Sequence, residues 1–461
     1  MPKKTALAIL IFAAIIFGLQ YTPASFKLKL ERYDVTRAML FRPSGMPVES
    51  PTQAPVVRHV VVTLPSNTKH HGENTIADPR GIIDPNNVMA PFYQALLHTE
   101  SKMPGAITRV LHYGDSPVTA DSITADARSL LQQRFGDAGH GFVLIAKPWA
   151  WYQHRGVKMS SKGWHIAAAS QGSRASDHLH GLGGVSFSGS VGATSTIELP
   201  DDEHTRVEVF YEQQPGGGSF NVASDDKSIG DVQTGADSPT PGYASFPLPP
   251  HTSEVTLKVT SGAARIFGWS FEKDKPGVVY NSLGLNGASV QMALRYFEAN
   301  QWTAEMQHEH PDLVVINYGT NESDFEDYVE RYYEKELRSL IERVRAAVPH
   351  ASLLIMSPMD RGKRVAGGDI VTPDALPRIV EIQARVAMQM GCAFFNTFEA
   401  MGGAGTMAKW YTQQPRLVSA DFTHPLPGGA KIVGELLYNA LCDGFERYKK
   451  SNLLAANGHE L

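Results

Sequence analysis

The chain is poor in cysteine: its 461 residues include two, Cys392 and Cys442. So few thiols exclude a disulfide-stapled scaffold and a cysteine-rich zinc module. A chain this long builds a core without bridges, so the pair is either one disulfide or two separately buried thiols. An excess of positive charge is lacking too. The net charge is -5, the pI is near 6.4, and Lys and Arg are scattered. That excludes a general nucleic-acid binder, which needs clustered cations to neutralise phosphates. Long apolar runs are missing, with one exception. Residues 6–19 are apolar and follow Lys3 and Lys4. The run has signal-peptide length and falls short of the roughly 20 residues a membrane span needs. Thr22-Pro23-Ala24 is a poor cleavage site, so 1–24 reads as a signal peptide or an uncleaved N-terminal anchor. Either reading places the rest outside the cytoplasm. Metal-ligand spacing is absent as well: His70 and His71 have no third ligand nearby, and a solvated loop accounts for them.

What is present is the composition of a globular protein, 42% apolar and 19% charged, with a length that implies two domains. Residues 25–90 are rich in Pro, Asn, Ser and His and read as a spacer. A strand–turn–helix rhythm follows. A strand at 109–113 leads to a helix with Ile123, Ala127, Leu130, Leu131 and Phe135 at helical spacing. The rhythm resumes after 275, with strands at 278–280, 312–317, 352–356 and 393–395. Helices are expected at 289–298, 325–348, 376–390 and 430–448. The long 325–348 helix would place Phe325, Val329, Tyr332, Leu337, Leu340, Ile341 and Val344 on one side. Continuous apolar strands alternating with helices predict an α/β fold, a parallel sheet covered on both faces.

Between 151 and 275 the rhythm gives way to period-two alternation, as at Val255, Leu257 and Val259, with turn clusters such as Pro215-Gly216-Gly217-Gly218. That pattern predicts an antiparallel β-sandwich. It separates the first two α/β strands, so it is an insertion. The organisation is then 91–150 and 276–448 for the two parts of the α/β domain, 151–275 for the insert and 449–461 for a tail.

Four short stretches carry chemistry. Gly114-Asp115-Ser116 ends the first strand, where open parallel sheets meet their ligands. Gly319-Thr320-Asn321-Glu322 follows the third strand, and an Asn amide there suits a developing oxyanion, or caps the next helix. Gly287 follows the second strand and offers a backbone N–H, or simply makes a turn. Asp421 and His424 lie three apart in a proline-containing loop, where a carboxylate orients an imidazole toward a serine. Together these groups are what acyl transfer through a serine ester needs.

With these residues in place, the chain resembles the SGNH (GDSL-type) hydrolase family over 109–145 and 276–448. The resemblance implies a flavodoxin-like sheet with Ser116 as nucleophile, His424 as base and Asp421 as its orienter. It implies an oxyanion hole of Ser116 N–H, Gly287 N–H and the Asn321 side chain. The insert, and Met401-Gly402-Gly403, resemble bacterial peptidoglycan O-acetylesterases with an inserted carbohydrate-binding-like domain. Glu322 stands where the family usually has Asp, and Pro117 where that subgroup often has His.

The expectation is an exported serine esterase of the periplasm or cell envelope, removing small acyl groups, acetyl foremost, from an acylated polysaccharide without cofactor or metal. An O-acyltransferase with the same triad, and a non-catalytic glycan binder, are the alternatives. Tyr211, Phe220 and Trp269 are candidates for sugar stacking or for core. Arg361 is expected either to line the cleft or to make a structural salt bridge.

Overall fold

Buried apolar runs at the predicted places pair into a central sheet. The computed structural model describes residues 80–457, which form one compact unit. The leader, the spacer up to residue 79 and the His70–His71 pair lie outside the described residues. The strands are β1 (Ile82–Ile83), β2 (Ile107–Gly114), β3 (Gly139–Val143), β4 (Lys158–Ala168), β5 (Val185–Glu198), β6 (Arg206–Gln213), β7 (Ser219–Ser224), β8 (Lys227–Gln233) and β9 (Thr240–Pro247). They continue as β10 (Glu254–Ser261), β11 (Ala263–Glu272), β12 (Gly277–Gly284), β13 (Leu313–Asn317) and β14 (Ser352–Met356). A short hairpin, β15 (Lys363–Arg364) and β16 (Ile370–Val371), precedes β17 (Ala393–Phe395).

The central sheet has the order β1-β17-β14-β13-β2-β12. Its five long-range partners β12, β2, β13, β14 and β17 run parallel. Taken by sequence, their order is second, first, third, fourth, fifth, the flavodoxin-like arrangement. One expectation is corrected: the sheet is mixed, because β1 joins its edge antiparallel to β17. Two residues at the end of a polar segment are too few to show a period.

Helices α1 (Ala90–Glu100), α2 (Ser116–Thr119), α3 (Ser122–Phe135), α4 (Val290–Tyr296), α5 (Ala299–Glu309), α6 (Glu334–Ala347), α7 (Ala375–Met390) and α8 (Pro427–Asn457) are the ones that position the site and its core, beside shorter helical turns. One apolar cluster packs Phe92, Leu131, Val433 and Phe445 of α1, α3 and α8 on one face of the sheet. Another packs Trp302, Leu340 and Ile379 of α5, α6 and α7 on the other.

The single helix expected over 325–348 is broken. A π turn at Val329–Tyr333 leads into α6. Val329 and Tyr333 are buried on the wider turn while Tyr332 is 55% exposed, and Phe325, in non-helical backbone ahead of the helix, is 64% exposed. Helix α5 is an addition. Its buried face carries Gln301, Glu305 and Glu309 beside Trp302 and Met306, and those polar side chains hide the apolar period.

The inserted strands are antiparallel, as expected, and hydrogen-bond into one nine-stranded sheet. Its order is β8-β7-β10-β5-β11-β6-β9, with β3 on β11 and β4 on β5. The sheet therefore recruits β3 from ahead of the expected boundary at 151. Strand β3 also lies along β12: Asp137 bridges Val278 in parallel, and Phe142 N–H donates to Asn281 Oδ1 at 2.7 Å. The insert and the α5–α7 face share one continuous apolar cluster. Trp269, Phe220 and Tyr211 are buried in it, so these candidates for sugar stacking are core. Cys392 and Cys442 are separate buried thiols, which settles the choice against a bridge.

Candidate active site

Ser116 opens α2 directly beyond β2, at the point where the strand order reverses between β2 and β13. The short turn of α2 lies on the end of β12: a Cβ on Gly284 would strike the Val118–Thr119 backbone. Val118 N–H and Thr119 N–H both return to Asp115 O, at 3.0 and 3.1 Å. The serine is thus held on a tight, backbone-bonded turn.

His424 reaches this serine from the far end of the chain. Its Nε2 lies 2.7 Å from Ser116 Oγ, and its Nδ1 lies 2.7 Å from Asp421 Oδ2. The loop that carries the pair is closed by Ser419 N–H to His424 O at 2.9 Å and by a Val418–Pro425 bridge. Asp421 Oδ1 accepts from Ser419 Oγ at 2.5 Å, Thr423 N–H at 2.9 Å and His424 N–H at 3.0 Å. Partial burial pushes the Asp421 carboxyl up, but these hydrogen bonds prevail and hold it well below the usual carboxylate range. It stays anionic at any pH where an imidazole could serve as base. Ser419 was missed by sequence reasoning, although a hydroxyl two residues before the acid is a typical local acceptor's partner.

Asn321 follows β13, on the other side of Ser116 from Gly287. Its side chain makes no helix-capping bond. Its Nδ2 donates instead to Ala288 O at 2.7 Å. Gly287 is exposed, at φ +74° with open space in front of it, a conformation that suits glycine. Glu322 Oε1 accepts Val290 N–H at 2.8 Å, so the Asn321 and Gly287 loops are joined twice. Burial pushes the Glu322 carboxyl up to about 7. Burial likewise raises Asp115 to about 6, against hydrogen bonds from Thr320 and the nearby His424.

Arg361 braces this same loop. Its Nη1 lies 2.9 Å from Asp324 Oδ2 and donates to Thr320 O at 3.2 Å and Ser323 Oγ at 3.1 Å. The salt bridge that sequence analysis offered for Arg361 is therefore present. Chemically, the arrangement offers an oxygen nucleophile bonded to an imidazole, an anion behind that imidazole, and N–H donors on two loops flanking the nucleophile.

The model of the GDSL-like Lipase/Acylhydrolase family matches residues 253–432. That span includes Gly287, Asn321, Asp421 and His424, begins within the last strands of the insert, and does not reach Ser116. No curated protein sequence matches the chain. Among solved structures, the chain is similar to one described as a peptidoglycan O-acetylesterase in action, with 22% identity and a TM-score of 0.68. The match covers 79% of this chain and 99% of that one. A Bacillus subtilis protein, YxiM, aligns at 13% identity over 62% of this chain and 90% of its own, with a TM-score of 0.31. A family two carbohydrate esterase from Clostridium thermocellum aligns at 11% identity over 62% and 98%, with a TM-score of 0.26.

Proposed function

We propose that this chain, which has the SGNH (GDSL-type) hydrolase fold and resembles the peptidoglycan O-acetylesterases, is an exported serine esterase. In this reading it removes O-acetyl groups from a cell-envelope polysaccharide, peptidoglycan first among them. Residues 1–24 direct the chain out of the cytoplasm or anchor it there. The insert serves to grip the glycan.

The observation that carries the reading is the unbroken relay from Asp421 through His424 to Ser116, two contacts of 2.7 Å each. His424 Nε2 takes the hydroxyl proton as Ser116 Oγ bonds to the acyl carbon. The carbonyl oxygen becomes an oxyanion, held by Ser116 N–H, Gly287 N–H and the second Asn321 N–H. The intermediate collapses, the C–O bond to the sugar breaks, and His424 returns its proton to the leaving alcohol. Water, deprotonated by the same imidazole, then attacks the acyl-enzyme and releases acetate and free Ser116. The substrate class draws on the described activity of the similar solved structure.

The test is acetate release from O-acetylated peptidoglycan, set against acetylated plant and exported polysaccharides. Release from peptidoglycan supports the assignment, and none from it while another polymer is cleaved overturns the substrate. Labelling by a fluorophosphonate, lost in Ser116→Ala, tests the chemistry separately. Acetyl appearing on an added glycan in place of free acetate would make the chain a transferase.

A further inference from the structure

Ten large apolar side chains are exposed among the described residues. Singly exposed apolar groups need no explanation, so their placement is what matters. Phe325, Val365, Val371 and Leu426 lie on segments that follow parallel strands of the central sheet, and Trp151 lies on the segment that follows β3, which runs alongside β12 in the same direction. The carboxyl ends of the parallel strands are the edge that carries Ser116. Trp151 and Phe325 are the aromatic members, and they fall on opposite sides of it.

Phe325 lies four residues after Asn321, on the β13 side. Trp151 lies on the β12 side. Strand β3 runs alongside β12 in the same direction, so the chain leaves Val143 next to the end of β12 and the Gly287 loop. The segment then returns to the serine: Arg155 N–H donates to Asp121 Oδ2 at 2.9 Å, five residues beyond Ser116. Asp121 is itself fixed by a buried pair with Arg128, at 3.0 Å to Oδ1.

Within this segment only Trp151 of three neighbouring aromatics faces solvent. Trp149 and Tyr152 are buried and pack edge to face, and Leu144 N–H donates to the Tyr152 hydroxyl at 3.2 Å. Trp151 is 59% exposed. A large ring on a pinned backbone is paid for in advance, before any ligand arrives. The chemistry that fits such a face is a pyranose ring, whose axial C–H groups pack on a π surface.

We propose that Trp151 and Phe325 are two sugar-stacking subsites of one glycan-binding cleft, with the Ser116 hydroxyl between them. This deepens the polysaccharide reading above and rests on it. A glycan laid across the strand ends stacks one ring on Trp151 and another on Phe325, which presents an intervening ester to Ser116. The rings that sequence analysis nominated in the insert are core, and the rim aromatics take their place.

The experiment uses the full chain with Ser116→Ala, titrated with chitohexaose and with cellohexaose, following tryptophan fluorescence and heat. Binding of at least one is expected. Trp151→Ala in that background should weaken it about tenfold and Phe325→Ala by a few-fold, and Trp151→Phe should recover most of the loss. The chitohexaose and cellohexaose arms report whether an N-acetylated glycan is preferred. In the active enzyme, Trp151→Ala should lower kcat/KM on polymeric ester several-fold more than on p-nitrophenyl acetate. Unaltered binding in both alanine variants overturns the proposal, as does no binding of either oligosaccharide at millimolar concentration. An inactive wild-type enzyme that still binds glycan through Trp151 would overturn the esterase reading alone.

Discussion

The Asn321 Nδ2 atom lies 2.7 Å from Ala288 O, so the amide on one side of Ser116 is held by the residue next to Gly287 on the other. An amide nitrogen carries two hydrogens. One is committed to Ala288, and the orientation of the second follows from it. Asn321→Ala should therefore lower kcat by about 100- to 1,000-fold with little change in KM. Asn321→Asp should do no better, since a carboxylate offers no donor. Steady-state kinetics on p-nitrophenyl acetate measure both.

Ser116, His424 and Asp421 are joined in series, and residues acting as a unit give non-additive losses. Ser116→Ala and His424→Ala should each reduce turnover on the order of 10,000-fold or more, and the double variant should be no worse than either. Asp421→Asn should lose less. Multiplicative losses in the double variant would show that the two groups act independently.

Stability should peak in slightly acid solution. Burial pushes Glu309 and Glu322 up to about 7 and Asp360 to about 6, whereas unfolded carboxyls titrate near 4. The folded chain then holds more protons than the unfolded one between those values, so stability falls as pH rises from about 4 to about 7. Buried histidines act oppositely: burial lowers His112 to about 3 and His154 and His180 to about 4. Their contribution grows with pH and is complete near 6.5, above which the glutamates act alone. Melting temperature should peak around pH 6–6.5 and decline toward pH 8, and Glu322→Gln should flatten the decline. A steady rise through pH 8 would contradict this balance.

Trp269 is wholly buried on β11. Trp269→Ala should cost about 3–5 kcal/mol by leaving a cavity, read as a lower denaturant midpoint. Trp151→Ala, at an exposed position, should leave the midpoint nearly unchanged.

The parts of the molecule legible in sequence were those with a dense local signal. The runs ending at Asn317 and Met356 announced buried parallel strands, and β13 and β14 match them. The motif residues Ser116, His424 and Asp421 were found by their positions at strand ends, and the fold brings them within hydrogen-bond reach. Other features depend on tertiary context. Helix α5 buries Glu305 and Glu309, and no periodicity argument assigns carboxyls to a core. The π turn at Val329–Tyr333 leaves Tyr332 outside, and a one-residue change of phase has no composition. Trp151 had a signal that went unused: Pro148-Trp149-Ala150-Trp151-Tyr152 is dense in aromatics where no element was expected.

Strand β3 has its own bearing on protein engineering. It precedes the inserted strands in sequence, pairs with β11 and leans on β12. A chimera cut at 151 and 275 would leave β3 behind with a bare edge, ready to pair with a stranger's backbone. Cutting near Asp137 and Gly277, where the two sheets meet, would move the whole nine-stranded unit, and Trp151 would travel with it.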